Sequence, residues 1–332
     1  MISSLQQKHV LGENKQRWKE AMGSSKSADT LLSIHACKPA LVSEKDGSWM
    51  ITIPRGVVLS EPIVISTIVS SSFQNSKIVI DVEEGASAVV VETQRSSDQN
   101  NNDEQFQRQE VEVHAQKCAK ISYYTLHKTN STTSSAITKR GLVDENATLT
   151  WVDVLCGGKW TEFDLKTIHQ GRSAQSKAYT LYYGGEGQIF EINTETDHLN
   201  QQTSGLMKAR GILTDNARVS YRGAVHISSL GGGAVAHQKS ETFLLGEQAH
   251  CDALPVLDVH HDDVVCSHGA AMGRIEEDTL FYLISRGLDK GKATHLLIES
   301  FFQDYLREVS VQSFICEMQQ TLGEKIKASK LK

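Results

Sequence analysis

Residues 260–270, His-His-Asp-Asp-Val-Val-Cys-Ser-His-Gly-Ala, gather three histidines, two acids and a cysteine into eleven positions. Such side chains are the usual protein ligands of zinc and iron. A structural zinc takes four Cys or His ligands, mostly as two closely spaced pairs. Cys266 and His268 make one pair, and on a strand residues two apart point to the same face. A second pair is missing. His260 and His261 are consecutive, as are His250 and Cys251, and consecutive strand residues face opposite ways. Nucleophilic catalysis suits the spacing no better, because side chains two apart on a strand stand roughly 6–7 Å from each other. That separation is too long for a His-activated thiol but suits shared ligation of one ion or cluster. The structural alternative is a buried cysteine beside a hydrogen-bonded histidine. His260 and His261 read as a polar turn leading into a strand, although a metal-dependent hydrolase using His260, His261, Asp262 and His268 is a further reading.

Strands have to position these groups. From about 48 to 268 the hydrophobic period is 2, as in Trp49, Ile51 and Ile53, then Ile78, Ile80 and Val82, then Val111 and Val113. No amphipathic helix interrupts the run. A turn with a polar residue or Gly, followed by Ala, recurs at Ala86, Ala119, Ala147, Ala217 and Ala249, with separations of 33, 28, 70 and 32. The interval of 70 reads as two units, because Gly171-Arg172-Ser173-Ala174 falls within it. A repeat of this length made of short strands predicts a mainly β fold, a solenoid of stacked parallel coils. A β-sandwich would also alternate, but it would be expected to carry more hairpin pairs such as Asn-Gly, and no Asn-Gly occurs. Only 4 prolines are present, as a chain with most of its N–H groups in ladders requires.

The stretch from Arg95 to Glu104 has no apolar residue to bury and predicts a mobile excursion. A helical signal precedes the strands around Asn14–Met22, and three helices are predicted after Gly273. The first covers Asp278–Ser285 and ends at a Gly287 cap. The second starts near Lys292 and carries Leu297, Phe301, Tyr305 and Val309 at steps of four. The third is centred on Phe314, Met318 and Leu322. The resulting division is a helical segment 1–40, a solenoid 41–270 and a helical region 271–332. Capping the solenoid end is one role for the last region. Its aromatic residues, Phe281, Tyr282, Phe301, Phe302 and Tyr305, make partner binding the other.

Composition narrows the function classes. Among 332 residues, 34 Lys and Arg against 40 Asp and Glu give a net charge of −6, which argues against a nucleic-acid binder. No apolar run approaches the roughly 20 residues that span a membrane. The first residues are too polar for a secretory signal, so a cytoplasmic location is expected. The six cysteines are dispersed, without a CxxC pair, and reduced thiols are expected. A P-loop is absent, and Gly231-Gly232-Gly233 reads as a loop between coils.

From about Gln238 to Phe302 the sequence resembles the SufB/SufD family of the SUF iron–sulfur assembly system. The resemblance is carried by Pro255-Val256-Leu257, Asp263-Val264, Cys266-Ser267-His268-Gly269-Ala270, Leu280-Phe281-Tyr282-Leu283 and Ser285-Arg286-Gly287. It is closest to the SufD branch, since SufB-like chains tend to carry a glutamate-rich EHEA form where this one has CSHGA. Ala271 departs from the Thr of many relatives, and the N-terminal region is shorter than in many.

The resemblance implies a right-handed parallel β-helix and a non-enzymatic scaffold subunit. It implies no tightly bound cofactor in the chain alone, and a transient iron or Fe–S cluster ligated by His268, with Cys266 as a nearby candidate. A SufB-like partner would meet the end of the β-helix, and a SufC-like ABC ATPase would meet the C-terminal helices through residues such as Phe281, Tyr282, Arg286 and Phe301. The isolated chain could pair with itself through the same sheet edge. A SufB-type scaffold remains the nearest alternative.

Overall fold

The computed structural model describes residues 31–45, 47–70, 72–97, 103–275 and 277–328. Alternation becomes strands because each coil offers one face to a shared interior and the other to the outside. In chain order the strands are β1 (Leu31–His35), β2 (Leu41–Lys45), β3 (Ser48–Ile53), β4 (Ile63–Val69), β5 (Phe73–Val82), β6 (Ser87–Ser96), β7 (Gln105–Ala115), β8 (Lys120–Lys128) and β9 (Thr133–Val143). They continue with β10 (Thr148–Leu155), β11 (Trp160–His169), β12 (Gln175–Gly184), β13 (Ile189–His198), β14 (Ser204–Leu213), β15 (Arg218–Ile227), β16 (Ala234–Leu244), β17 (His250–Val259) and β18 (Val264–Gly273). Even-numbered strands from β4 to β18 stack in one sheet and odd-numbered strands from β3 to β17 in the other. All of these pairs are parallel. The result is the expected β-solenoid, a flattened one of about eight turns.

Its first coil is closed antiparallel, with β1 on β4 and a β2–β3 hairpin around Gly47. β1 is therefore strand within the segment 1–40 read as helical, while Asn14–Met22 lies outside the described residues. The excursion predicted for 95–104 is shorter than expected. β6 runs through Ser96, Glu104 is paired with Lys159 at 2.5 Å, and residues 98–102 lie outside the described residues.

The recurring alanines are explained by the turns. Ala86, Ala119, Ala147 and Ala174 are fully buried, and each donates its N–H to the carbonyl three residues earlier. The residue just before each has positive φ: Gly85, Cys118, Asn146 and Ser173. The small side chain is enclosed at each of these turns, and at the equivalent turn before β14 the buried Thr203 follows Gln202, also at positive φ. These four alanines lead from the odd sheet into the even sheet, whereas Ala217 and Ala249 lead the other way. The interval of 70 is thus two coils, through Ala174 and Thr203, plus half a coil. At both kinds of turn the alanine N–H bonds the carbonyl three residues earlier, so the two kinds look alike in sequence.

The interior is packed by Ile51, Ile80, Val113, Trp151, Phe163, Ile192 and their neighbours. Where a strand is buried on both faces, as over Val152-Asp153-Val154-Leu155, its outer face is covered as well. Three helices follow the strands: α1 (Glu277–Ser285), α2 (Lys290–Leu306) and α3 (Gln312–Ala328). Gly287, at φ +95°, ends α1 as predicted, and the Asp289 side chain caps α2 by accepting from the Lys292 N–H. The helices do not cap the solenoid end. Ile298, Phe302 and Tyr305 of α2 and Phe314, Met318 and Leu322 of α3 pack on the outer side of the even sheet, against Tyr124, Val152, Val154, Tyr179 and Leu181. Burying each such side chain contributes about 1.5–3 kcal/mol. Lys128–Glu317 at 2.7 Å and Lys177–Glu308 at 2.9 Å pin the rims of this contact.

Candidate functional site

Placing the helices along the flank leaves the last coil open. Among the described residues β17 and β18 end their sheets, each with one hydrogen-bonded neighbour, so each presents an unpaired backbone edge there. Cys266 and His268 lie on β18 beside Ala236 and Gln238 of β16. Ser267, between them, faces the other way and is hydrogen-bonded to His237 Nδ1 at 2.8 Å. Cys266 is half-buried against the interior and His268 is exposed. Gln238, the neighbour of His268, is buried, and neither its amide nitrogen nor its oxygen has a hydrogen-bond partner. Around them Leu254, Val265 and Met272 are at least half exposed. A Cβ added to Gly269 or Gly273 would meet nothing within 4 Å, so the outside of β18 is free for another chain to approach.

The other histidines of the segment separate in role. His261 belongs to the turn: its Nδ1 accepts from the Asp263 N–H at 3.0 Å, and its ring lies over Gly232. His260 follows β17 and does more than form a turn. Its Nε2 is 2.9 Å from Asp258 Oδ1, while His226 Nδ1 is 2.8 Å from Asp258 Oδ2. The hydrogen bond from His226 holds the Asp258 carboxyl below its usual range. Among the described residues, these three form the one group of Cys, His, Asp or Glu donors close enough to share an ion. Cys266 and His268 join no such group. His260, His261, Asp262 and His268 do not converge either, which removes the geometry a hydrolase reading needs.

The profile of the SUF system FeS cluster assembly SufBD core domain matches residues 64–301, more than two thirds of the chain. The chain belongs to the SufBD family. It is 27% identical over 270 residues to an iron–sulfur cluster assembly SufBD family protein of Staphylococcus saprophyticus. It is 25% identical over 276 residues to the iron–sulfur cluster assembly protein SufB of Bacillus subtilis. Both alignments cover 80% of this chain and 57% of the relative, so this SufBD chain spans little more than half the length of these relatives.

Deeper in the SufBD solenoid the interior is polar in places that periodicity did not reveal. Lys139 is fully buried, with Nζ 2.6 Å from the buried Asp153 carboxylate, bonded also to Thr125 and 4.3 Å from the centre of the Tyr123 ring. Burial raises the pKa of Asp153, and the Lys139 ammonium opposes that rise. Glu92 accepts from Tyr123 at 2.8 Å and from Gln109 at 2.6 Å. Further along, His169 and His198 stack edge-on with their Nδ1 atoms 3.3 Å apart. Burial lowers His198 and His127 to about 4 and His169 well below its ordinary value, so all three are neutral at pH 7. Cys156 is inert, its thiol pushed up to about 12 by burial. All six cysteines are free.

The predicted partner-binding residues divide between surface and interior. Phe281 and Tyr282 on α1 are 71% and 55% exposed, and Arg286 lies over the Tyr282 ring at 5.1 Å. Phe301 turns inward instead. Its ring stacks on Phe243 at 4.3 Å and receives Arg210 at 4.8 Å, fastening α2 to the even sheet. No helix among the described residues is long and apolar enough to cross a membrane.

Proposed function

We propose that this chain is a SufD-type scaffold subunit that shares a transient iron or iron–sulfur cluster site with a SufB-like partner. The observation that carries the reading is Cys266 and His268 on one face of an open edge strand, with no third donor beside them among the described residues. Thiolate and imidazole together suit iron in a labile site, and a set left incomplete in one chain lets the cluster leave. The cluster is cargo here rather than a resident cofactor, and the chain itself needs no catalytic group. The buried Gln238 amide beside His268 offers one further polar contact. The unpaired edges of β17 and β18 fit addition of another chain's strands, which would bring the remaining ligands. The exposed Phe281, Tyr282 and Arg286 of α1 offer an aromatic and cationic patch for a SufC-like ABC ATPase.

The test is co-expression with SufB-like and SufC-like partners, followed by purification and measurement of cluster loading. Wild-type chain is expected to co-purify and load, and His268→Ala to co-purify but load at least tenfold less. Normal loading in His268→Ala would remove the site. Persulfide sulfur accepted on one of this chain's own cysteines would instead assign it the SufB-type role. A homodimer that gives way on adding the SufB-like partner would support the shared edge.

A further inference from the structure

The donors that the fold brings together are not those of the Cys-Ser-His string. His226, on β15, and Asp258, on β17, are one coil apart in sequence and direct neighbours in register. His260 stands two residues beyond Asp258, with its ring 5.5 Å from the ring of His226. The two imidazoles approach one carboxylate from its two oxygens, at 2.8 and 2.9 Å, and all three ligand atoms lie within 4.8 Å of one another. Ligands on opposite sides of an ion, each at about 2.1 Å, would be about 4.2 Å apart, so small side-chain rotations suffice.

We propose that His226, Asp258 and His260 form a binding site for a divalent first-row transition-metal ion. Two imidazole nitrogens and one carboxylate oxygen are too nitrogen-rich for calcium or magnesium, which take oxygen ligands. Without a thiolate the set is not one for copper(I) either; it suits ferrous iron, cobalt or zinc. Each imidazole would bind as the neutral ring, its proton on the nitrogen away from the ion. His226 is 35% exposed, and Asp258 and His260 are both 55% exposed, which leaves coordination positions for water or for a ligand from another chain. One strand inward, the register neighbour of His226 is Asp197, whose Oδ1 is buried without a hydrogen-bond partner. From the triad the chain passes through the 260–263 turn directly into β18, so an ion here would sit at the head of the strand carrying Cys266 and His268.

The full chain, stripped with a chelator and kept anaerobic, is titrated with cobalt(II) and then with iron(II), by calorimetry and by the visible absorbance of bound cobalt. One saturable site per chain is expected. His226→Ala, Asp258→Asn and His260→Ala should each weaken binding by at least about tenfold. Cys266→Ser and His268→Ala should leave it unchanged, which separates this site from the proposed cluster site. Melting temperatures equal to wild type would exclude unfolding as the cause of any loss, as expected for changes at exposed side chains. Absence of saturable binding in the wild type would overturn the proposal. So would unchanged affinity in the His226→Ala/His260→Ala double variant, or loss of binding on His268→Ala alone.

Discussion

The middle coils and the last coil use the same residue types in opposite ways. At Lys139–Asp153 and at His169–His198, ionisable groups lie inside, fully desolvated and held by neighbours on the facing strand in the first case and on the adjacent strand in the second. At Cys266, His268, Asp258 and His260, similar groups lie at an edge where no further coil covers them. Inside, the low dielectric makes each partner indispensable. At the end of the solenoid water stands in for the missing partner, so these groups remain available for ligands. A titratable residue in this fold is desolvated or open to solvent according to how many coils follow it.

The sharpest way to break that contrast is at Lys139. Lys139→Ala leaves Asp153 buried without its counter-ion and is expected to cost about 3–5 kcal/mol, measured by urea unfolding. A cost as small as that of an exposed lysine would mean that the interior is wet.

The second test is acid. His127 and His198 titrate near 4 in the folded chain, against about 6.5 unfolded. As pH falls through that window the unfolded chain binds protons that the folded one refuses, so stability falls. Each histidine should cost about 3 kcal/mol by pH 4, and His198→Gln should flatten the dependence of unfolding free energy on pH.

The smallest effects compare two glycines. A Cβ on Gly211 would lie 1.7 Å from the buried Tyr182 ring, whose hydroxyl is bonded to Thr242 at 2.6 Å. Gly211→Ala is expected to cost about 1–3 kcal/mol, and Gly269→Ala less than about 0.5 kcal/mol, by chemical denaturation. Should Gly269→Ala leave stability intact yet weaken pull-down of a SufB-like partner, the open face of β18 would be identified as the docking edge.

Much of this architecture was legible from local pattern. Alternation in Ile78, Ile80 and Val82 gave a strand because every second side chain enters the core. Gly287 gave the end of α1 because positive φ suits glycine. The pairing of Cys266 with His268 on one face needed only the two-residue period of a strand. The buried Lys139 was not legible, because in Ile137-Thr138-Lys139-Arg140 it looks like any surface lysine; the carboxylate it meets is 14 residues on, across the solenoid interior. His226 was passed over for the same reason. Counting a constant coil length does not find it either, because the register offset is 29 residues from Asp197 to His226 and 32 from His226 to Asp258.

The sequence by itself determined that strands stack in coils, that helices follow them, and that one Cys/His pair shares a face. These depend on spacing within a few residues, which backbone geometry fixes locally. Only the tertiary structure decided which coil residues become neighbours, that the helices lie along the flank and leave the end open, and that His226, Asp258 and His260 meet. Those outcomes depend on the length of every intervening turn, and one residue more or less in a turn would turn each following side chain to the other face.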